Sequence, residues 1–221
     1  AALAFLAMRE RISRQISQRT DMLAGVSHDL RTPLTRMKLQ LAMIQKTDGV
    51  DELNSDVEEM EHMLEGYLTF ARGEGTETPR PSNVSTVLNA VVAQAHRKSE
   101  AVDLHTEGEL IVPLRPQAFK RCMTNLIDNA IRYADHVTVR AGMRGKAIEI
   151  TVDDDGPGIP EDQREEVFKS FYRIDNSRNP ETGGVGLGLT IARDVIRSHG
   201  GDIILSDSPL SGLRARVRLP L

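Results

Sequence analysis

Seven apolar residues, Leu23, Val26, Leu30, Leu34, Met37, Leu41 and Ile44, recur at steps of three and four, and this spacing constrains the fold more than any other feature of the chain. The period puts all seven on one face of an amphipathic helix with a seam to bury. Thr47-Asp48-Gly49 then marks a turn. A second helix follows, with Leu53, Val57, Met60, Leu64, Tyr67, Leu68 and Ala71 on one face. Two such helices joined by a short turn form an antiparallel hairpin. One hairpin cannot bury both seams well, whereas two copies make a four-helix bundle, so a homodimer is expected on packing grounds.

Charge separates between the arms. Residues 51–65 carry seven acids and no Lys or Arg, while Arg9, Arg11, Arg14, Arg19, Arg31, Arg36 and Lys38 make the first arm basic. Solvated faces, rather than a specific ion-pair code, are the expected reading. His28 lies two residues from both Val26 and Leu30 and so projects opposite the seam. Asp29 sits beside it, and Thr32, four residues on, shares its face. An imidazole displayed on a helix with an acid and a hydroxyl suggests proton or phosphoryl chemistry. Pro33 has no N–H for the carbonyl of Asp29 and is expected to bend the helix just past this point.

With 39% apolar and 27% charged residues, the 221-residue chain has the balance of an ordinary soluble protein. A net charge of −4 gives a nucleic-acid partner no electrostatic support. The single Cys122 excludes an intrachain disulfide framework and a cysteine-based zinc site, and its apolar helical setting makes it a small core residue. No run of 18 apolar residues exists to span a membrane. The chain opens at Ala1 with neither an initiator Met nor a signal-peptide pattern, and is expected to be a fragment of a longer protein.

Residues 73–82 combine Gly, Pro and polar residues without periodicity, which reads as a linker between the helical module and a C-terminal domain over 83–221. That domain alternates element types. Helices are expected at 83–97, 116–134, 161–168 and 187–198. Strands are expected at 102–106, 110–114, 137–141, 147–152, 203–205 and 214–219. The mixture predicts an α/β sandwich with helices on one face of the sheet.

Three clusters in it have nucleotide-binding logic. Asn125 and Asn129 share a helix face, and an amide carbonyl is a hard oxygen ligand suited to Mg²⁺. Asp154-Asp155-Gly156-Pro157-Gly158 follows a strand; a carboxylate there can accept from the exocyclic amine of adenine, with glycines permitting close approach. Gly183-Gly184-Val185-Gly186-Leu187-Gly188 precedes a helix and can present N–H groups to phosphates. The polar stretch 169–182 before it is long enough to form a lid.

In order and spacing these clusters resemble the N, G1, F and G2 boxes of the bacterial sensor histidine kinases, and the His28 segment resembles their H box. Within that family, Val-Ser-His-Asp-Leu-Arg-Thr-Pro-Leu-Thr-Arg and Asp-Asp-Gly-Pro-Gly-Ile look closest to the EnvZ-type osmosensing kinases. The resemblance implies a dimeric four-helix bundle followed by an ATP-binding domain of the Bergerat (GHKL) fold. It implies that residues 1–20 end a HAMP-like signalling helix, that 21–72 form the dimerisation and phosphotransfer domain, and that the full-length protein is anchored in the bacterial inner membrane with this part facing the cytoplasm. It makes His28 the phosphoacceptor, Asp29 its orienting base and Asn129 the Mg²⁺ ligand. Asn125, Arg132, Tyr133, Asp154, Gly156, Gly158, Gly184, Gly186, Leu187 and Gly188 become the ATP-binding set, with Phe168 and Phe171 as lid packing. Thr32 implies phosphatase activity toward a phosphorylated response regulator, the expected protein partner. Val185 departs from the Thr or Ser common at its position, so a hydroxyl contact to phosphate cannot be made there.

Two other readings compete. A chaperone- or topoisomerase-like ATPase accounts for the nucleotide clusters but leaves the His28 segment unexplained. A non-catalytic docking module conflicts with the intact Asn129, Asp154 and lid glycines.

Overall fold

The computed structural model describes residues 8, 11, 26, 30–44, 49–50, 53–54, 57, 60–61, 77–96, 102–174 and 186–221. The chain divides into two compact units, one over the hairpin and one beginning at Glu77, and each is described by itself.

In the first unit, residues 30–42 form a helix that runs unbroken through Pro33. Thr35 Oγ1 donates to the carbonyl of Arg31 at 2.9 Å, a back-bond close to the amide that Pro33 lacks. Leu34 and Leu41 are buried in one cluster with Val50 and Val57 of the second arm. Other described residues of the predicted seam behave differently. Leu30, Met37 and Ile44, with Leu53 and Met60 of the second arm, stay exposed. Each arm therefore buries one seven-residue repeat inside the hairpin and displays the other. The charge asymmetry yields one ion pair among the described residues, Lys38 Nζ to Glu61 Oε2 at 2.6 Å.

The second unit holds β1 (Arg80–Asn83), α1 (Val84–Ala95), β2 (Val102–Thr106), β3 (Ile111–Leu114), α2 (Pro116–Tyr133), β4 (Val137–Arg144), β5 (Ala147–Asp154), α3 (Gly188–Ser198), β6 (Asp202–Asp207) and β7 (Leu213–Pro220). The predicted linker thus ends earlier than 82, because β1 pairs antiparallel with β3. The helix expected at 161–168 is two short 3₁₀ turns, Glu161–Gln163 and Glu166–Phe168.

The main sheet has the order β2-β4-β5-β7-β6, with β2–β4 parallel and the other pairs antiparallel. Its register sorts the two faces. Val139, Val152, Ala215 and Leu205 form one row and Ala141, Ile150, Val217 and Ile203 the next, all buried. α2 and α3 cover this face, burying Phe119, Met123, Leu126 and Ile127 from one and Ile191, Val195 and Ile196 from the other. Cys122 is fully buried here, as expected, and burial pushes its thiol pKa upward. The opposite face is polar, with rows such as Arg140, Thr151 and Arg216.

Side chains alternate along a strand, so the adjacent acids ending β5 part company. Asp153 points to the polar face, where Arg140 and Arg214 pair with it at 3.3 and 2.6 Å. Asp154 points to the face under the helices.

Candidate nucleotide site

α2 brings the sequence clusters together. Near its N-terminus, Glu77 accepts from the amides of Gln117 at 3.0 Å and Ala118 at 3.1 Å, supplying the cap that Arg115 does not. Asn125 and Asn129 follow on one face, both half-buried. Asn125 Nδ2 donates to the carbonyl of Gly188 at 3.3 Å, joining α2 to the first turn of α3. Among the described residues, no protein group pairs with the Asn129 side-chain amide. Arg132 and Tyr133 are exposed at the helix end.

That end meets β5. Asp155 Oδ1 accepts from the amides of Asp135 and His136, both at 2.9 Å, and so pins the α2–β4 turn to the end of β5. A Cβ on Gly156 would lie 2.6 Å from the carbonyl oxygen of Tyr133, so only glycine lets this turn approach the helix. Gly158 adopts φ +71.

Asp154 Oδ1 accepts from Gly156 N at 3.0 Å and from Leu213 N at 2.9 Å. Burial pushes its carboxyl above the ordinary aspartate range, the two amides counter the rise, and Asp155 and Asp153 add to it. Both hydrogen bonds reach the same oxygen, so Oδ2 remains as an acceptor. Sequence reasoning missed Gly212, next to Leu213. A Cβ there would lie 2.5 Å from both the Asp154 carbonyl oxygen and Gly156 N, so this glycine lets the β6–β7 turn close over the carboxylate. Its Ser-Gly setting reads only as a turn.

Gly186, Leu187 and Gly188 lead into α3. Phe168 is buried, whereas Phe171 is 55% exposed and has φ 66. Its side chain stays in solvent while its backbone packs on Gly186. Thr32 is helical and exposed in the first unit. His28, Asp29, Gly184 and Val185 lie outside the described residues, as do the helix end expected at 1–20, except Met8 and Arg11, and most of the expected lid.

The second unit therefore offers a graded surface along α2. At one end stands a carboxylate acceptor walled by close-packed backbone, and at the other Asn125 against the glycine-rich start of a helix. From Asn125 to Tyr133 the helix rises about 12 Å, a span suited to a purine at one end and phosphates at the other.

Comparison with known proteins matches two families along the chain. Residues 115–221 match the family described as "Histidine kinase-, DNA gyrase B-, and HSP90-like ATPase", and residues 18–76 match "His Kinase A (phospho-acceptor) domain". The chain is 34% identical to the sensor histidine kinase GtrS of Pseudomonas aeruginosa, over 99% of this chain and 46% of that protein. It is 32% identical to the sensor histidine kinase CpxA of Escherichia coli, over 100% of this chain and 51% of that protein. The chain thus spans about half the length of the curated relatives it matches. Among solved structures, the histidine kinase domain of the E. coli osmosensor EnvZ is 32% identical, with a TM-score of 0.52, over 66% of this chain and 92% of that one.

Proposed function

The chain belongs to the sensor histidine kinases, and from that premise we propose that it is an autokinase core that phosphorylates His28 from ATP and passes the phosphoryl group to an aspartate of a response regulator. The observation that carries the reading is the convergence of Asp154, Gly156 and Tyr133 at one end of α2 and of Asn125 and Gly188 at the other. The match over residues 18–76 also accounts for the His28 segment, which an isolated ATPase leaves without a role.

Asp154 Oδ2 accepts from the 6-amino group of adenine, and Gly156 and Gly158 shape the wall beside the base. Arg132 and Tyr133 border the nucleotide. Gly184, Gly186, Leu187 and Gly188 present backbone amides to the phosphates. Asn129 fits a Mg²⁺ ligand, because its half-buried carboxamide has no protein partner among the described residues and offers a hard oxygen. The ion, when bound, neutralises charge on the phosphates. Neutral His28 attacks the γ-phosphorus through one ring nitrogen; an N–P bond forms as the bond to ADP breaks. Asp29 holds the proton on the other ring nitrogen and stabilises the imidazolium character that develops. Thr32, exposed and four residues after His28, positions water against the regulator's acyl phosphate, giving a phosphatase beside the kinase.

Two copies form the four-helix bundle, with Leu30, Met37, Ile44, Leu53 and Met60 covered between them. No helix among the described residues is long and apolar enough to cross a membrane. The inner-membrane anchor belongs to segments upstream, toward which the HAMP-like residues 1–20 lead.

Incubation with γ-labelled ATP tests the reading. An acid-labile, base-stable label that disappears in His28→Ala supports it. A label that survives the substitution would overturn it.

A further inference from the structure

We infer that Arg193 is a positioning residue for the phosphate end of the nucleotide site, an inference that rests on the reading of that site given above. Arg193 lies on α3, roughly one and a half turns past Gly188. Its side chain is only 11% exposed, a place a guanidinium occupies when it is paired. Glu165 accepts from Nη1 at 2.6 Å and from Nη2 at 3.2 Å, a bidentate fork. Asp202, at the start of β6, accepts from Nε at 3.1 Å. The guanidinium also lies over the Phe168 ring, 4.1 Å from its centroid. One side chain thus ties together a helix, a strand and the segment with the 3₁₀ turns.

Thr190, one turn earlier on α3, donates its hydroxyl to the carbonyl of Phe168 at 2.9 Å. Three residues past Phe168, the amide of Phe171 donates to the carbonyl of Gly186 at 2.9 Å. A Cβ on Gly186, whose φ is +70, would stand 2.9 Å from the Phe171 carbonyl carbon. The contacts form a closed ring. Gly186 leads into α3, α3 presents Thr190 and Arg193, these two hold Phe168, and Phe168 carries Phe171 back to Gly186. A left-handed non-glycine residue such as Phe171 persists only where its surroundings over-determine it, and the ring does so. The ring fixes the backbone of Gly186–Gly188 from one side, while Asn125 holds Gly188 from the other. Asp154, at the adenine end, has no part in it.

Loosening Arg193 therefore weakens the grip on phosphates and leaves the adenine end intact. The test compares Arg193→Ala and Arg193→Lys with the parent chain, by titration with Mg·ADP and with adenosine and by thermal unfolding. Arg193→Ala is expected to lose about tenfold in ADP affinity and less than about twofold in adenosine affinity. Arg193→Lys, which keeps the charge without the fork, falls between. Unchanged ADP affinity, or equal losses for ADP and adenosine, would overturn the inference. If Arg193→Ala does not fold, Glu165→Gln removes one arm of the clamp and must show the same selectivity in smaller measure; equal or absent losses there overturn it too. A parent chain that binds neither ligand brings down the nucleotide-site reading itself, whereas a selective effect that fails in a binding-competent parent sinks only the role of Arg193.

Discussion

The amide of Leu213 donates to Asp154 Oδ1 at 2.9 Å across 59 residues of sequence. With Gly156 N on the same oxygen at 3.0 Å, this bond fixes the plane of the carboxylate and leaves Oδ2 for a ligand. A buried carboxylate held so is oriented before any ligand arrives, so little ordering cost falls on binding.

Asp154→Asn retains an oxygen for Gly156 and Leu213 but sets a donor where Oδ2 was, facing the donor of adenine. The expected loss is about 1–3 kcal/mol, roughly ten- to hundredfold in ADP affinity, with folding kept. Asp153→Asn gives the opposite pattern. It weakens the pairs with Arg140 and Arg214 on the other face of the sheet and lowers stability by about 1–3 kcal/mol. Nucleotide affinity stays unchanged. Calorimetric titration beside thermal unfolding separates the two.

Gly212→Ala brings a Cβ within 2.5 Å of the Asp154 carbonyl oxygen and of Gly156 N. Neither backbone atom can swing away as a side-chain tip would, so the turn must move. Overpacking of this kind costs about 1–3 kcal/mol, and it is expected to reduce ADP affinity at the same time. Parent-like affinity in a destabilised variant would show that the β6–β7 turn does not shape the base end.

Asp202 supplies the pH dependence. Burial raises its carboxyl pKa, but hydrogen bonds from Arg197, Arg193 and the Ile203 amide prevail and bring it down to about 2. A carboxyl depressed in the folded state adds stability above its unfolded value, about 3.9, and that stability is lost as pH falls through the folded value. Unfolding temperature should therefore drop between about pH 4 and pH 2, and the drop should be shallower in Asp202→Asn. Parallel curves for the two proteins would remove Asp202 from the account.

What was legible in the sequence was local. Asn125 with Asn129, Asp154 with Gly156, and Gly186 with Gly188 each lie within one turn of a helix or loop, where spacing alone sets geometry. What was hidden depends on partners far along the chain. Glu77 meets α2 across 40 residues, Arg193 meets Glu165 across 28, and Gly212 matters only because β7 returns beside β5. No periodicity marks such residues. The helix expected over 161–168 also failed for a tertiary reason, since Glu165 and Phe168 are drawn to α3 instead of continuing an α-helical ladder. The hairpin seam was legible as a stripe, but its division into a buried and a displayed half was not.

That division gives the last prediction. Leu34, Leu41, Val50 and Val57 are buried within one hairpin, while Leu30, Met37, Ile44, Leu53 and Met60 are exposed on it. The two sets alternate at steps of three and four, as the two apolar positions of a heptad do. Substitutions in them should fail differently. Leu34→Ala opens a cavity inside the hairpin and is expected to cost about 2–5 kcal/mol of stability. Met37→Glu leaves the hairpin interior intact but sets a charge on the displayed stripe, so sedimentation should find monomers with a folded ATP-binding unit that still binds ADP. If Met37→Glu remained a dimer at micromolar concentration, the stripe would not be the contact between copies, and the bundle would have to be built on another face.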